Sequence, residues 1–225
     1  MAARGADSSE ARAALSSLCE SYWYPLYAYV RRRGADPDDA CDLTQGFLTS
    51  LLERRDFETL QRERGRFRAF LLASLKHFLS NDTARRLAQK RGGGSVLSLT
   101  FDDAEGRYRF EPAEPATPES LYERRWALTV MERVLASLRS EWEASGRAAE
   151  FDDLKACLLG EPPEGGYAAL AAKFNSTEGA VRTAIHRLRR KFQTRLRQDI
   201  AETVADAGEV DDEVKYLIRA LNAAR

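Results

Sequence analysis

The sequence predicts an all-α fold of two small helical domains joined by a flexible acidic linker, on three observations. Apolar residues recur at spacings of three and four along most of the chain, while alternating strand-like stretches are almost absent. Gly92, Gly93 and Gly94 interrupt that pattern and open an acidic stretch that holds Gly106, Pro112 and Pro115. From Tyr167 to Leu196 the chain reads as two short helices joined at Asn175 and Ser176, the second with a basic face. These signals set the first domain at 9–92, the linker at 93–117, the second domain at 118–198 and a C-terminal helical extension at 199–225.

The first helix is expected over about Ser9 to Arg33, burying Leu15, Leu18, Tyr22, Leu26 and Tyr29, and Gly34 ends it. Asp36 caps the second, Pro37 fits its first position, and Asp38 and Asp39 complement the positive end of the helix dipole. Its buried stripe is Ala40, Leu43, Phe47, Leu48 and Leu51, and Asp38, Asp42, Gln45 and Thr49 line its exposed face. A third helix over about 66–91 buries Phe67, Phe70, Leu71, Leu75, Phe78 and Leu79, with Ser74, His77, Asn81 and Arg85 along another face. The stretch from Ser95 to Phe110 is expected to form a short hairpin. Helix restarts at Thr117-Pro118-Glu119 and continues through Leu121, Trp126, Val130, Val134 and Leu138, followed by a short helix around Phe151 to Leu159. In the C-terminal extension Val214, Leu217, Ile218 and Leu221 mark one more amphipathic helix.

A chain of 225 residues with 44% hydrophobic and 31% charged residues is that of a foldable, soluble protein. No apolar run approaches the roughly 18 to 20 residues that span a bilayer, and the N-terminal stretch lacks a signal-peptide apolar core, so a cytoplasmic protein without membrane association is expected. Cys19, Cys41 and Cys157 are scattered, and His77 and His186 are the only histidines, which leaves no metal-binding or disulfide pattern. Nucleotide-binding loops and nucleophile motifs are absent from the sequence, so no enzymatic activity, catalytic residue, metal or cofactor is expected.

Thirty-five basic side chains balance thirty-five acidic ones, yet the charges are segregated. Arg85, Arg86, Lys90 and Arg91 form one basic block and 182–197 another, while 36–42 and 102–123 are acidic. Such patches, rather than net charge, bind nucleic acid. In the last basic helix Val181, Ile185, Leu188, Phe192 and Leu196 form the inward stripe. Asn175 tolerates the left-handed turn, and Thr177 caps the helix. Arginines there suit the major groove, where guanidinium groups read guanine edges and further cations hold phosphates.

Three segments, in order, resemble the extracytoplasmic-function (group IV) sigma factors of the sigma-70 family. DPDDACDLTQGFLTSLLE resembles the family's region 2.2, RFRAFLLASLKHFLSNDTARRLAQKR its regions 2.3 and 2.4, and YAALAAKFNSTEGAVRTAIHRLRRKF its region 4.2. The resemblance implies a protein that binds core RNA polymerase, at the clamp helices and the flap, and directs it to promoter DNA. It implies polymerase docking by Asp38, Asp39, Asp42 and Gln45. It implies minus-ten recognition and melting by Ser74, His77, Asn81, Arg85, Arg86, Lys90 and Arg91. It implies minus-thirty-five contacts by Thr177, Arg182, Thr183, His186, Arg187, Arg190 and Lys191, with Arg189 also toward phosphate. His77 stands where the family usually has Asn, Asn81 where it has Asp, and Ser176 where an apolar residue is usual.

Two other readings fit parts of the pattern: a helix-turn-helix regulator that acts without polymerase, and a helical signalling adaptor whose basic faces are merely solvated. Regulation has three candidate routes: an anti-sigma factor, a Ser/Thr kinase, and the C-terminal extension, which either masks the basic helix or stabilises the second domain by burying Leu217 and Leu221. Thr44 lies beside the docking face and also borders the apolar stripe, so it is read either as a phosphorylation site or, in preference, as a buried, unmodified threonine.

Overall fold

Gly34, at φ 96°, ends the first helix in a left-handed conformation that a residue with a Cβ rarely adopts. The computed structural model describes residues 21–53, 66–88, 104–109, 117–159, 162–163 and 165–222. Every regular element among them is helical. No helix among the described residues is long and apolar enough to cross a membrane. The chain divides into two compact units, one of 1–129 together with 203–225, the other of 130–202.

In the first unit, α1 (residues 21–32) buries Tyr22, Trp23, Leu26, Tyr27, Tyr29 and Val30. A helix apolar almost all round is a core helix. The polar tips of its aromatics are satisfied: Trp126 Nε1 donates to Tyr22 Oη at 2.9 Å, and Tyr27 Oη donates to Glu105 Oε2 at 2.8 Å. Asp36 caps α2 (Pro37–Glu53) as expected, its Oδ1 accepting from the Asp39 amide at 2.8 Å. α2 and α3 (Phe67–Ala88) meet through Phe47 and Phe78, edge to face at 5.7 Å. Of the expected stripes, Leu43 and Phe78 are half-buried rather than buried.

The expected hairpin is not present where the chain is described. Residues Ala104–Arg109 form a short helix, α4, and the rest of that stretch lies outside the described residues. Glu105 begins α4 and Arg107 and Arg109 end it, which matches the helix dipole. The Arg31 guanidinium grips Glu105 through Nε at 2.9 Å and Nη2 at 3.0 Å and lies 4.8 Å from the Tyr108 ring centroid. Part of the segment expected to be a free linker is thus docked on α1. The guanidinium holds the Glu105 carboxyl below its usual range, and burial, helped by Glu105, pushes the Tyr27 phenol up.

Thr117 caps α5 (Pro118–Ala144), its Oγ1 accepting from the Ser120 amide at 3.1 Å. The first half of α5 belongs to the first unit: Leu121, Tyr122 and Trp126 are buried, and Glu119 pairs with Lys76 at 2.7 Å. The boundary between units therefore falls inside α5, between Thr129 and Val130, and not in 93–117. The C-terminal segment also differs from expectation. The helix Val210–Asn222, numbered α9 in chain order, lies in the first unit and buries Leu217, while Ile218, expected on the apolar stripe, is 50% exposed.

The second unit comprises the last half of α5, α6 (Ala148–Leu154), a 3₁₀ turn over Lys155–Leu159, α7 (Gly166–Lys173) and α8 (Glu178–Ala201). Val134 and Leu138 of α5, Phe151 and Leu154 of α6, and Val181, Ile185 and Leu188 of α8 supply its core. Arg133 to Asp199 at 2.9 Å and Lys173 to Asp153 at 2.7 Å tie its elements at the surface.

Candidate nucleic-acid interface

The second unit builds a helix-turn-helix from α7 and α8. Gly165 and Gly166, at φ 72° and 81°, swing the chain into α7. Its last turn is closed by the Phe174 amide donating to the Leu170 carbonyl at 2.9 Å and the Ser176 amide donating to the Ala171 carbonyl at 2.8 Å. Asn175, at φ 47°, is the one left-handed non-glycine residue among those described, in the position its side chain favours. Thr177 is extended, and its Oγ1 accepts from the Ala180 amide at 3.2 Å to start α8.

Burial of Val181, Ile185, Leu188, Phe192 and Leu196 fixes the rotation of α8. Thr177, Arg182, Thr183, His186, Arg187, Arg190 and Lys191 are all exposed, as expected from the sequence. They are not equivalent. The Arg182 guanidinium sits 4.0 Å from the Tyr167 ring centroid and 3.7 Å from Glu178 Oε2. Thr183 Oγ1 donates to the Gly179 carbonyl at 2.8 Å. Lys191 pairs with Glu141 at 3.1 Å on the flank of α8, beside an open cleft of about 390 Å³ that also meets Trp142, Arg147 and Arg187. Arg189 does not fit the expected phosphate role. It is half-buried and donates from Nε and Nη2 to the Cys157 carbonyl at 3.0 and 2.6 Å, a link between α8 and the 3₁₀ turn.

In the first unit, Asp38 and Asp42 are exposed on α2, and Asp39 and Gln45 are half-buried beside them. Gln45 Nε2 lies 3.5 Å from Cys41 Sγ, and burial, with Asp42 and Asp38 nearby, raises the Cys41 thiol. Thr44 is fully buried and its Oγ1 donates to the Ala40 carbonyl at 2.7 Å, which is the buried threonine of the two readings, with its hydroxyl turned away from solvent in the folded chain. On α3, Ser74 is half-buried, and His77 and Asn81 are exposed one turn apart. Asn81 Nδ2 stands 3.2 Å from His77 Nε2 and donates to it when that nitrogen is unprotonated. Arg85 and Arg86 belong to the last turns of α3, and Lys90 and Arg91 lie outside the described residues.

Sequence reasoning missed the anchors of these elements. Glu213 and Arg68 carry no signal in the local sequence pattern, yet both are buried, and Glu105 stands within the acidic stretch 102–123 without any sign of its partner Arg31. The one local hint, three acids opening α9, is equally that of a helix complementing its dipole. Comparison of the chain with protein-family models, with curated proteins and with solved structures returned no match.

Proposed function

We propose that the chain is a transcription-initiation sigma factor, which binds core RNA polymerase, directs it to promoters and assists DNA melting. The observation that carries this reading is the helix-turn-helix of α7 and α8: a turn built by Asn175 and Thr177, and an outer face on which Arg182, Thr183, His186, Arg187 and Arg190 stand exposed. A helix so rotated suits the major groove of a minus-thirty-five element, with side chains near its start on base edges and later cations on phosphates.

The resemblance of α2 and α3 to the family's region 2 turns a DNA-binding unit into half of a promoter reader. On this reading the α2 face of Asp38, Asp39, Asp42 and Gln45 docks on the polymerase clamp helices, where complementary charge speeds encounter and fixes register. Ser74, His77 and Asn81 of α3 hold an extruded minus-ten base by its polar edge, and Arg85 and Arg86 lie toward the separated strand. Binding energy drives the opening, since the sequence carries no nucleotide-hydrolysis motif.

The test mixes the purified chain with core RNA polymerase and assays complex formation, then promoter-dependent transcription. A complex that initiates at a defined start site supports the reading, and loss of that complex in an Asp39→Asn, Asp42→Asn double variant assigns the docking face. DNA binding without any polymerase complex would replace it with a helix-turn-helix regulator.

A further inference from the structure

The start of α3 is assembled by the C-terminal segment, 135 or more positions away in sequence. The Phe67 amide, the first N–H group of α3, donates to the Thr203 carbonyl at 2.9 Å. Glu213 of α9 is 1% exposed and takes the arginines on either side of Phe67: Arg66 Nε at 3.0 Å, and Arg68 through Nε and, at 3.3 Å, Nη2. The Arg68 guanidinium is held further by the Tyr216 ring at 3.7 Å and the Trp126 ring at 4.9 Å, and Tyr122 Oη donates to the Arg68 carbonyl at 2.9 Å.

Arg68 also pairs with Glu123 of α5 at 3.4 Å, so the charge at stake is the Glu213 carboxylate. A buried carboxylate with two guanidinium partners adds little net stability over apolar packing, but it selects one geometry, because a displacement of α9 takes that carboxylate away from both guanidinium groups. The constrained object is the first turn of α3, and the Ser74, His77 and Asn81 face begins two turns further along the same rigid helix.

We propose that α9 is a clamp that fixes the position of α3, with Glu213 as its positioning residue acting through Arg66 and Arg68, so that the C-terminal segment governs promoter opening through the minus-ten-like helix. The proposal rests on the sigma reading for its promoter step and on the structure of the first unit for its clamp. Opening a duplex draws on the energy of gripping an extruded base, and a helix with a loose root delivers less of it. A template already unpaired makes no such demand.

The experiment compares the full chain with Glu213→Gln, which keeps the side-chain shape and removes the charge, and with Arg66→Met, which leaves the Arg68 pair in place. Three quantities are read: amide hydrogen exchange over 67–81 and 178–201, complex formation with core polymerase, and promoter opening on a duplex and on a template unpaired across the minus-ten region. In Glu213→Gln, exchange over 67–81 rises and duplex opening falls by about tenfold each, the size of coupling within one ion-pair network. Exchange over 178–201, polymerase affinity and opening of the unpaired template stay at wild-type level. Arg66→Met moves the same two quantities in the same direction by a smaller factor, and it decides the question alone should Glu213→Gln not fold.

Unchanged exchange over 67–81, unchanged duplex opening in a chain whose α3 has loosened, or equal loss on both templates would overturn the proposal. Should the wild-type chain form no polymerase complex, the sigma reading falls on that result, and the exchange measurement still decides the clamp.

Discussion

The Arg182 guanidinium packs over the Tyr167 ring at 4.0 Å, so one helix of the helix-turn-helix holds the arginine that the other presents. A long side chain held in this way loses less rotamer freedom when it meets a base. Arg182→Ala is expected to cost about 1 to 3 kcal/mol of binding to a minus-thirty-five duplex and to relax base preference at one position. Tyr167→Ala costs about 0.5 to 1 kcal/mol by removing the stacking partner alone. Anisotropy titrations over a panel of single-base variants check both, and an Arg182→Ala chain with wild-type affinity and preference would take Arg182 out of the interface.

Arg189 and Arg190 are neighbours with opposite fates. The half-buried Arg189 satisfies the Cys157 carbonyl, so Arg189→Ala is expected to destabilise the second unit by about 1.5 to 3 kcal/mol, the range for hydrogen bonds to charged groups. Its removal leaves the salt dependence of DNA binding as it was. Arg190→Ala, at an exposed position, shifts stability by no more than about 0.5 kcal/mol and lowers the salt slope by about one. Thermal unfolding and binding at several salt concentrations separate the two, and the reverse pattern would exchange their roles.

What the sequence revealed and what it hid divide along one line, the distance in sequence between partners. The α8 stripe from Val181 to Leu196, the Thr177 cap, the turn at Asn175 and the Asp36 cap of α2 are all set by residues close by in sequence, and each stands as expected. Arg68 with Glu213 and Arg31 with Glu105 join residues 145 and 74 positions apart, and no local pattern announces such pairs. The hairpin expectation failed for the same reason: α4 is six residues long, too short to be stable alone, and forms where Glu105 and Tyr108 find Arg31 and Tyr27. Arg189 was misjudged because its basic neighbours suggest a solvent face, while its partner, a main-chain carbonyl, leaves no trace in the sequence.

The docking of α4 should depend on pH in a definite direction. The Arg31 guanidinium, with the Tyr27 hydroxyl, holds the Glu105 carboxyl below the ordinary 4.5, so its folded-state pKa is depressed relative to the unfolded chain. Its contribution is then complete above about 4.5 and is lost as pH falls through the lower, folded value. Glu105→Gln is expected to lower the unfolding midpoint at pH 7 and to match wild type ever more closely as pH drops below 4.5. A difference between the two chains that stays constant with pH would mean that the Glu105 charge does not hold α4.

Thr44 tests whether the α2 face is regulated by modification. Its side chain shares the buried face of Ala40, Leu48 and Leu51, and its hydroxyl bonds one turn back to the Ala40 carbonyl. A phosphate would bring about 1.5 to 2 negative charges into that face, so modification needs α2 to leave the core first. Thr44→Val keeps the shape and leaves the Ala40 carbonyl its helical partner, which costs about 1 kcal/mol or less. Thr44→Glu buries a carboxylate among aliphatic side chains and is expected to cost roughly 2 to 5 kcal/mol, unfolding α2 locally or the first unit as a whole. Denaturant midpoints rank the variants, and polymerase binding is read beside them. A Thr44→Glu chain as stable as wild type but altered in polymerase affinity would show that the position accepts charge, and would restore Thr44 as a site of control.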